Sequence, residues 1–456
     1  MSDLNFVILA AGKGTRMRST VPKVLHKLAG RAMLAHVVAA VDSLGDAKKV
    51  IVTGHGADEV EQQFNRPDIE FVQQKKQLGT AHAVQMAIPK LSKHSIVMVL
   101  YGDVPLIKPS TISKILEAVT ASTMSLLTIS LVNPGGYGRI IRDSGGIIEA
   151  IVEQKDATDE QLKINEVNTG VLALQAEKLL EWIPQINNNN AQGEYYLTDI
   201  IAIAKDNGTE VIGINPESAS EVEGVNSRVQ LSQLERAHQH ELAEKLMASG
   251  TSLADPSRFD QRGDISSGID NFIDINCIFE GMVTIGNNVS IGANCHVTDS
   301  TIGDGVQILP NTILESTIVG ARSVVGPFAR LRPGTELASD TKVGNFVETK
   351  KALVGKGSKI NHLSYVGDAQ LGENVNIGAG TITCNYDGVN KHQTDISDGV
   401  FIGSNSTLVA PIKVGKDGFV AAGSTVTSEV PNENLAVARA KQRNIKGWKR
   451  PSKKED

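Results

Sequence analysis

Large rings and thiols are scarce in this chain. Aromatic residues make up 4 % of its 456 residues, and it has three cysteines. A core with so few rings suits a repetitive solenoid filled by small branched side chains. Cys277, Cys295 and Cys384 are too few for a disulfide framework and fit a reducing compartment. No sign of charge is in large excess. The formal net charge is -6, and without a basic surplus nothing points to nucleic acid as a partner. Long apolar runs are missing as well. Phe6 to Ala11 is too short and wrongly flanked for a signal peptide, and no uncharged stretch reaches the length of a membrane span. A cytoplasmic protein with no membrane span is expected.

What the chain does have is glycine, 43 residues of it, and a hydrophobic content of 41 %, enough for full folding. The length calls for two or three domains. Over most of the second half an apolar residue returns every sixth position. It runs Ile273, Phe279, Ile285, Ile291, Val297, slips by one to Ile302 and Ile308, and slips again to Ile313, Val319, Val325, Leu331, Leu337 and Val343. The beat resumes at Val354, Ile360, Val366, at Leu371, Ile377, and at Ile402, Leu408, Val414, Val420, Val426. Neither a helix of period 3.6 nor an alternating strand of period 2 gives this spacing; short strands joined by tight turns and wound into a solenoid do.

The first half reads differently. Phe6-Val7-Ile8-Leu9, Lys49-Val50-Ile51-Val52 and Ile96 to Leu100 are short buried-strand runs, with helical spacing from Met33 to Leu44. This is the pattern of an open α/β sheet with its ligand crevice at the strand ends. Runs at Ser125 to Leu131, Ile147 to Glu153 and Gly170 to Leu174 are expected as further strands covering that crevice. Between the halves, Val229, Leu231, Leu234, Ala237, Leu242 and Leu246 recur at helical spacing. We therefore expect an N-terminal domain at 1–228, a linking helix at 229–249 and a solenoid domain at 250–456. The polar, basic tail from Lys441 reads either as a loose terminus or as an arm packed on a neighbouring subunit.

Chemistry concentrates at strand ends. Leu9-Ala10-Ala11-Gly12-Lys13-Gly14-Thr15-Arg16-Met17 follows the first strand. Its glycines let the backbone approach a phosphate, and successive N–H groups can cradle it. The third glycine of a dinucleotide fingerprint and the Gly-Lys-Ser/Thr ending of a P-loop are both missing. Arg16 and Lys23 would supply cations for a negatively charged transition state. Asp103 ends the strand that closes with Tyr101-Gly102, where a carboxylate commonly holds a divalent ion bridging phosphate oxygens. A plain tight turn and a turn-capping Asp remain the simpler readings of these residues alone.

The Leu-Ala-Ala-Gly-Lys-Gly-Thr-Arg-Met segment, Pro22-Lys23-Val24-Leu25 and the Asp103 segment resemble the sugar-nucleotide pyrophosphorylases. Joined to a hexapeptide solenoid, the whole chain is similar to the bifunctional GlmU family of bacteria. That resemblance implies two activities. One is acetyl transfer from acetyl-coenzyme A to glucosamine-1-phosphate. The other is uridylyl transfer from UTP to N-acetylglucosamine-1-phosphate, giving UDP-N-acetylglucosamine for wall and lipopolysaccharide sugars. It implies an N-terminal Rossmann-like nucleotidyltransferase domain, a C-terminal left-handed parallel β-helix and a homotrimer. It places Leu9, Ala10, Ala11, Gly12 and Lys23 on the nucleotide phosphates, and Gln74, Gly79 and Thr80 on the uracil edge. Tyr101 and Gly102 would line the substrate, and Gly138, Glu153 and Asn168 would hold the N-acetylglucosamine. Asp103 and Asn226 would bind Mg²⁺.

In the second half the beat breaks twice. One gap, from Val343 to Val354, contains Asn345 to Lys351; the other, from Ile377 to Ile402, carries Thr383 to His392, and insertions in solenoids often form ligand loops. Between them His362 lies two positions past an inward Ile360, near a corner. A lone His is usually structural; the resemblance instead makes it the general base that takes the proton from the attacking amine. The resemblance further implies Arg332, Lys350, Tyr365, Asn376, Asn385 and Tyr386 for glucosamine-1-phosphate, and Ala379, Ser404, Ala422 and Arg439 for acetyl-coenzyme A. No Ser or Cys nucleophile has a convincing partner, and Cys384 reads as a small apolar filler. The competing reading is a nucleotidyltransferase for another sugar-1-phosphate whose β-helix only oligomerises; a non-catalytic scaffold is the third.

The 229–249 segment carries no candidate catalytic residue. A fragment ending near residue 228 is therefore predicted to keep uridylyl transfer and lose acetyl transfer, and one starting near residue 250 to do the reverse. Both rates measured in both fragments test this; two well-folded but inactive fragments would refute it.

Overall fold

The computed structural model describes residues 3 to 453. The chain forms two compact units, Met1–His238 and Gln239–Asp456. A continuous helix, Arg228–Ala248, carries the chain from one to the other. It spans 21 residues, and Val229 on it is exposed rather than packed. Among the described residues no helix is long and apolar enough to cross a membrane.

The first unit is built on a mixed sheet. Leu4–Ala10 is central, pairing in parallel with Lys48–Thr53 on one side and Ile96–Tyr101 on the other. Ile69–Gln73 extends the first edge in parallel. Alternate residues of these strands enter two separate cores. Phe6, Ile8, Ile51, Met98 and Leu100 pack on one face, and Val7, Val50, Val52, Val97 and Val99 on the other. A sheet covered on both faces needs such unbroken apolar strands.

One expectation is corrected here. Glu166–Gln175 and Thr123–Ser130 do not cover the crevice; they continue the sheet itself. Glu166–Gln175 is antiparallel to both Ile96–Tyr101 and Thr123–Ser130, and Glu210–Ile214 closes the edge in parallel. Only the hairpin Arg139–Arg142 and Ile148–Val152 lies off the main path, joined to it through Val167.

The second unit is a parallel β-helix of short strands, as the six-residue beat requires. One face runs in register from Thr251–Leu253 to Leu435–Ala436. The other two merge where strands turn a corner without breaking. Cys277–Ile285 pairs with both His296–Thr298 and Thr301–Ile302, and Glu348–Val354 with both Arg330–Leu331 and Glu336–Leu337. The repeating apolar residues stack along the axis in one core.

Two details of the beat differ from its sequence reading. Ile313 faces outward at 37 % exposure while Leu314 points inward at 0 %, so the slip falls between Leu314 and Val319. Nor does the beat fail between Val343 and Val354: Thr349 fills the inward position, wholly buried, with its hydroxyl 3.0 Å from that of Thr335. The five-residue steps share a geometry. In each, the left-handed corner residue comes two positions after the inward one: Asp299 (φ 45°), Ser316 (47°), Lys351 (46°) and Asp368 (46°). Six-residue corners such as those at Asn288 (57°) and Asn294 (61°) place theirs three positions after it. The second break is a true insertion. Thr383 and Ile396 both point inward, and between them the chain folds back through a bridge from Tyr386 to Lys391.

The tail from Lys441 to Lys453 is exposed, with Trp448 at 67 %; the expected arm's last residues, 454–456, lie outside the described residues. Burial of the Thr335–Thr349 pair yields a test. Thr349→Val strands the Thr335 hydroxyl and should cost about 1–2 kcal/mol, whereas Thr335→Val/Thr349→Val should return to within about 0.5 kcal/mol of wild type. The unfolding midpoints of the four proteins check this.

Candidate active sites

In the first unit the sheet register delivers the site. Because Leu4–Ala10 and Ile96–Tyr101 run parallel, their ends emerge side by side, and Gly102 N–H donates to Leu9 O at 2.9 Å. Around these ends lies a cavity of about 300 Å³. Leu9, Ala10, Ala11, Gly12, Lys23, Gln74, Gly79, Thr80, Tyr101 and Asp103 all line it. Gln77, Ala83 and Glu194 line it too, without having been singled out in the sequence. Arg16 is exposed on the short turn Thr15–Met17 and is not part of the lining.

Lys23 is the electrostatic centre. Its ammonium donates to Asp103 Oδ2 and, at 3.1 Å, to Asn226 Oδ1. Its seat depends on Gly14, which has φ +59°; a Cβ there would lie 2.8 Å from Lys23 Cβ. Asp103 and Asn226 are held from below, since Val225 N–H donates to Asp103 O at 2.9 Å and Asn226 N–H to Gln230 Oε1 at 2.9 Å. Gly79, which starts the helix Thr80–Ala87, has φ +119°, and any Cβ would meet Tyr195 O at 2.4 Å.

Gly138, Glu153 and Asn168 form a second group. Asn168 N–H donates to Gly138 O at 2.9 Å, and a Cβ on Gly138 would stand 3.4 Å from Glu153 Oε1. Thr198 Oγ1 donates to Glu153 at 3.2 Å, a partner the sequence did not flag. Burial raises the Glu153 carboxyl above the ordinary Glu value, and burial likewise raises Tyr101. Both shifts mark a site whose anions are poorly solvated.

In the second unit, coil stacking assembles the residues. Arg330↔Glu348, Glu348↔Tyr365 and Lys350↔Gly367 are register partners. Arg332, Lys350 and Tyr365 thus share one face; Arg332 is paired to Glu348 at 2.7 Å. Lys350 is pulled below its ordinary pKa by Lys391 first and then by Arg332. These cations repel one another, with Glu348 offsetting Arg332 and Asp368 partly offsetting Lys350. Asn385 donates to Asp368, and Tyr386 stands exposed in the inserted loop.

His362 sits at a corner. Its Nδ1–H donates to Asn345 Oδ1 at 2.7 Å, which leaves the Nε2 lone pair as the basic position. Asn345 was missed as a partner; it lies one coil back, in register with His362. Ala379, Ser404 and Ala422 climb the same side of the solenoid, linked by Asn405 N–H to Ala379 O (2.7 Å) and Gly423 N–H to Ser404 O (2.8 Å). Arg439 closes the ladder through Ala422 O at 2.7 Å. Asn376 stands apart on another face, between Lys359 and Phe401.

The burial of Glu153 has a measurable consequence. A carboxyl raised in the folded state favours folding while protonated, and that contribution is lost as pH rises through the folded value. Glu153→Gln removes the cost of the buried anion. The variant is predicted to melt above wild type at pH 7–8, with the difference closing as pH falls toward about 4. Melting curves across that range check it.

The chain matches known proteins both by domain and over its whole length. Residues 6–139 match the MobA-like NTP transferase domain, 268–351 the GMPPB C-terminal domain, and 393–428 the hexapeptide repeat of succinyl-transferase. The bifunctional protein GlmU of Marinobacter nauticus is 57 % identical over 453 residues, 99 % of this chain and 100 % of that protein. Those of Saccharophagus degradans and Cellvibrio japonicus are 56 % and 53 % identical over 451 residues, again 99 % of this chain and all of theirs. With both halves matched end to end at such identity, the chain belongs to the bifunctional GlmU family.

Proposed function

We propose that this chain makes UDP-N-acetylglucosamine in two steps, using the two residue sets described above, each within its own unit. Acetyl and uridylyl transfer are the paired activities that family membership gives it. The observation that carries the two-site reading is the oriented His362 imidazole: a β-helix that only oligomerises has no use for it.

In uridylyl transfer the sugar phosphate attacks the α-phosphorus of UTP and pyrophosphate leaves. Such a reaction needs positioning and charge neutralisation more than a protein nucleophile. Lys23 lines the cavity and supplies a cation beside the reacting phosphates. Gln74, Gly79 and Thr80 hold the base, and Gly138, Glu153 and Asn168 the sugar. Asp103 Oδ2 and Asn226 Oδ1 both reach Lys23 Nζ, so two hard oxygens converge on one point. Such a pair fits Mg²⁺, with water and phosphate oxygens completing the shell. Bound there, the ion would spread the phosphate charge.

In acetyl transfer the amine of glucosamine-1-phosphate attacks the thioester carbonyl of acetyl-coenzyme A, His362 Nε2 takes the amine proton, and the C–S bond breaks so that coenzyme A leaves as its thiolate. Arg332, Lys350 and Lys391 supply the cations for the sugar phosphate. The small residues Ala379, Ser404 and Ala422 leave room for the pantetheine arm, and Arg439 reaches the coenzyme phosphates. A homotrimer fits the same surface. Phe328, Phe346 and Leu363 are exposed at 50, 56 and 63 % along the corner that carries His362. Phe346 is stacked on Phe328 at 5.4 Å. A second copy of the β-helix would cover them.

Two substitutions separate the activities. Asp103→Ala should abolish uridylyl transfer and leave acetyl transfer near wild type. His362→Ala should cut acetyl transfer roughly 10²–10⁴-fold, the value of a positioned proton-transfer group, and leave UTP-dependent activity untouched. Both rates are measured per folded protein. An His362→Ala protein with more than about a tenth of wild-type turnover removes His362 from the proton transfer.

A further inference from the structure

The side-chain amide of Gln74 is held by two partners of unequal information. Its Nε2 lies 3.0 Å from Gly79 O and 2.9 Å from His82 Nδ1. A carbonyl oxygen only accepts, so the atom facing Gly79 is the amide nitrogen. The second hydrogen of that nitrogen then points at His82, and His82 Nδ1 must accept. His82 is thereby the tautomer protonated on Nε2. Both amide hydrogens are used, and among the described residues nothing donates to Gln74 Oε1. Gln74 is 3 % exposed and lines the nucleotide cavity, and its backbone is fixed by N–H to Thr53 O at 2.8 Å.

We propose that His82 is a positioning residue that sets the polarity of Gln74, and through it the enzyme's choice of uracil over cytosine. This rests on the reading of Gln74 as the residue that meets the base. Uracil offers an N3–H donor between two carbonyl acceptors. Cytosine offers an N3 acceptor beside an amino donor. An amide locked with Oε1 free accepts from uracil N3–H and opposes cytosine N3, acceptor against acceptor. A rotated amide would present its NH₂ group and suit cytosine. Rotation is opposed because it sets Oε1 against Gly79 O, and because His82 must then move its proton from Nε2 to Nδ1 to keep its bond to the amide. Gly79 O is present whatever the side chain at position 82, so His82 contributes the second half of the lock. Its place supports this: it sits on the first turn of the helix Thr80–Ala87, whose start at Gly79 has no room for a side chain. His82 also borders a separate cavity of about 330 Å³ with Leu78, Gln85 and Tyr195.

The test is the ratio of kcat/KM for UTP to that for CTP, measured on the full-length enzyme with N-acetylglucosamine-1-phosphate. A loss of folded protein divides both rates equally and cancels, so even a poorly folding variant reports the ratio. His82→Phe and His82→Leu both remove the acceptor. Each should lower the ratio about tenfold, the worth of roughly one hydrogen bond, chiefly by raising the use of CTP. Gln74→Ala should lower it at least as far, and Gln74→Ala/His82→Phe no further than Gln74→Ala, because His82 acts only through the amide. If Gln74→Ala collapses the ratio while both His82 variants hold it within about twofold, the role of His82 is overturned and Gln74 still reads the base. An additive double variant also overturns it. If Gln74→Ala itself leaves the ratio unchanged, the underlying assignment of Gln74 fails instead.

Discussion

Parallel pairing in register is the constraint on which both sites depend. Parallel strands all emerge at the same end, so residues remote in sequence arrive together without any long loop having to find its place. In the first unit this brings Lys23 to Asp103 and Asn226, 80 and 203 positions away. In the second it sets Asn345 against His362, 17 positions and one coil apart. In the solenoid the apolar stack fixes the register, because a one-residue slip would turn its inward Val, Ile and Leu to solvent. Positioning of polar groups at the rim is therefore a by-product of burying apolar ones in the core.

On that frame the chain mounts charges that are incompletely matched. Lys350 is destabilised as a cation by Lys391 and Arg332, and Glu153 is destabilised as an anion by burial. Neither arrangement favours the empty protein. In the proposed function each becomes favourable with its ligand, a phosphate for the first and sugar hydroxyl groups for the second. The triad of Lys23, Asp103 and Asn226 is the neutralised counterpart. There the ammonium bridges two oxygens. Structural ion pairs would be paired to completion, as Arg322 and Asp340 are on the solenoid surface.

The architecture was legible because its cause is periodic. A six-residue apolar beat survives the loss of any single member, and strand ends bearing glycine, lysine and aspartate stand out beside buried runs. Errors arose where one residue decides the outcome. Ile313 and Leu314 are adjacent and both apolar, and only the left-handed Ser316 that follows shows where the corner falls. Thr349 was invisible to a beat counted in hydrocarbons, since it enters the core as a hydroxyl satisfied by Thr335. Glu166–Gln175 reads as a strand but carries no mark of its direction, so its antiparallel place inside the main sheet could not be read from it. Asn345 could have been found by laying successive coils over one another, which the sequence permits. Gln77 and Glu194 could not, because loops without period bring them to the cavity wall, nor could Thr198, which the short helix Leu197–Asp199 brings to Glu153.

Both sites pair an amide with an imidazole, and they use the pair in opposite senses. At the nucleotide cavity the imidazole of His82 acts on the amide of Gln74, and Gly79 O anchors the polarity from outside the pair. At the solenoid corner the amide of Asn345 acts on the imidazole of His362. The tasks explain the difference. Choosing a base needs a contact that does not change, so the amide is pinned by an acceptor-only group. A general base must gain a proton and release it in every turnover. Nδ1–H donates to Asn345 Oδ1 whether the imidazole is neutral or charged, so the ring stays oriented through the transfer. A neutral amide also holds the imidazolium less tightly than a carboxylate would. In the proposed transfer, the ring that takes the amine proton therefore keeps the same orientation before and after it.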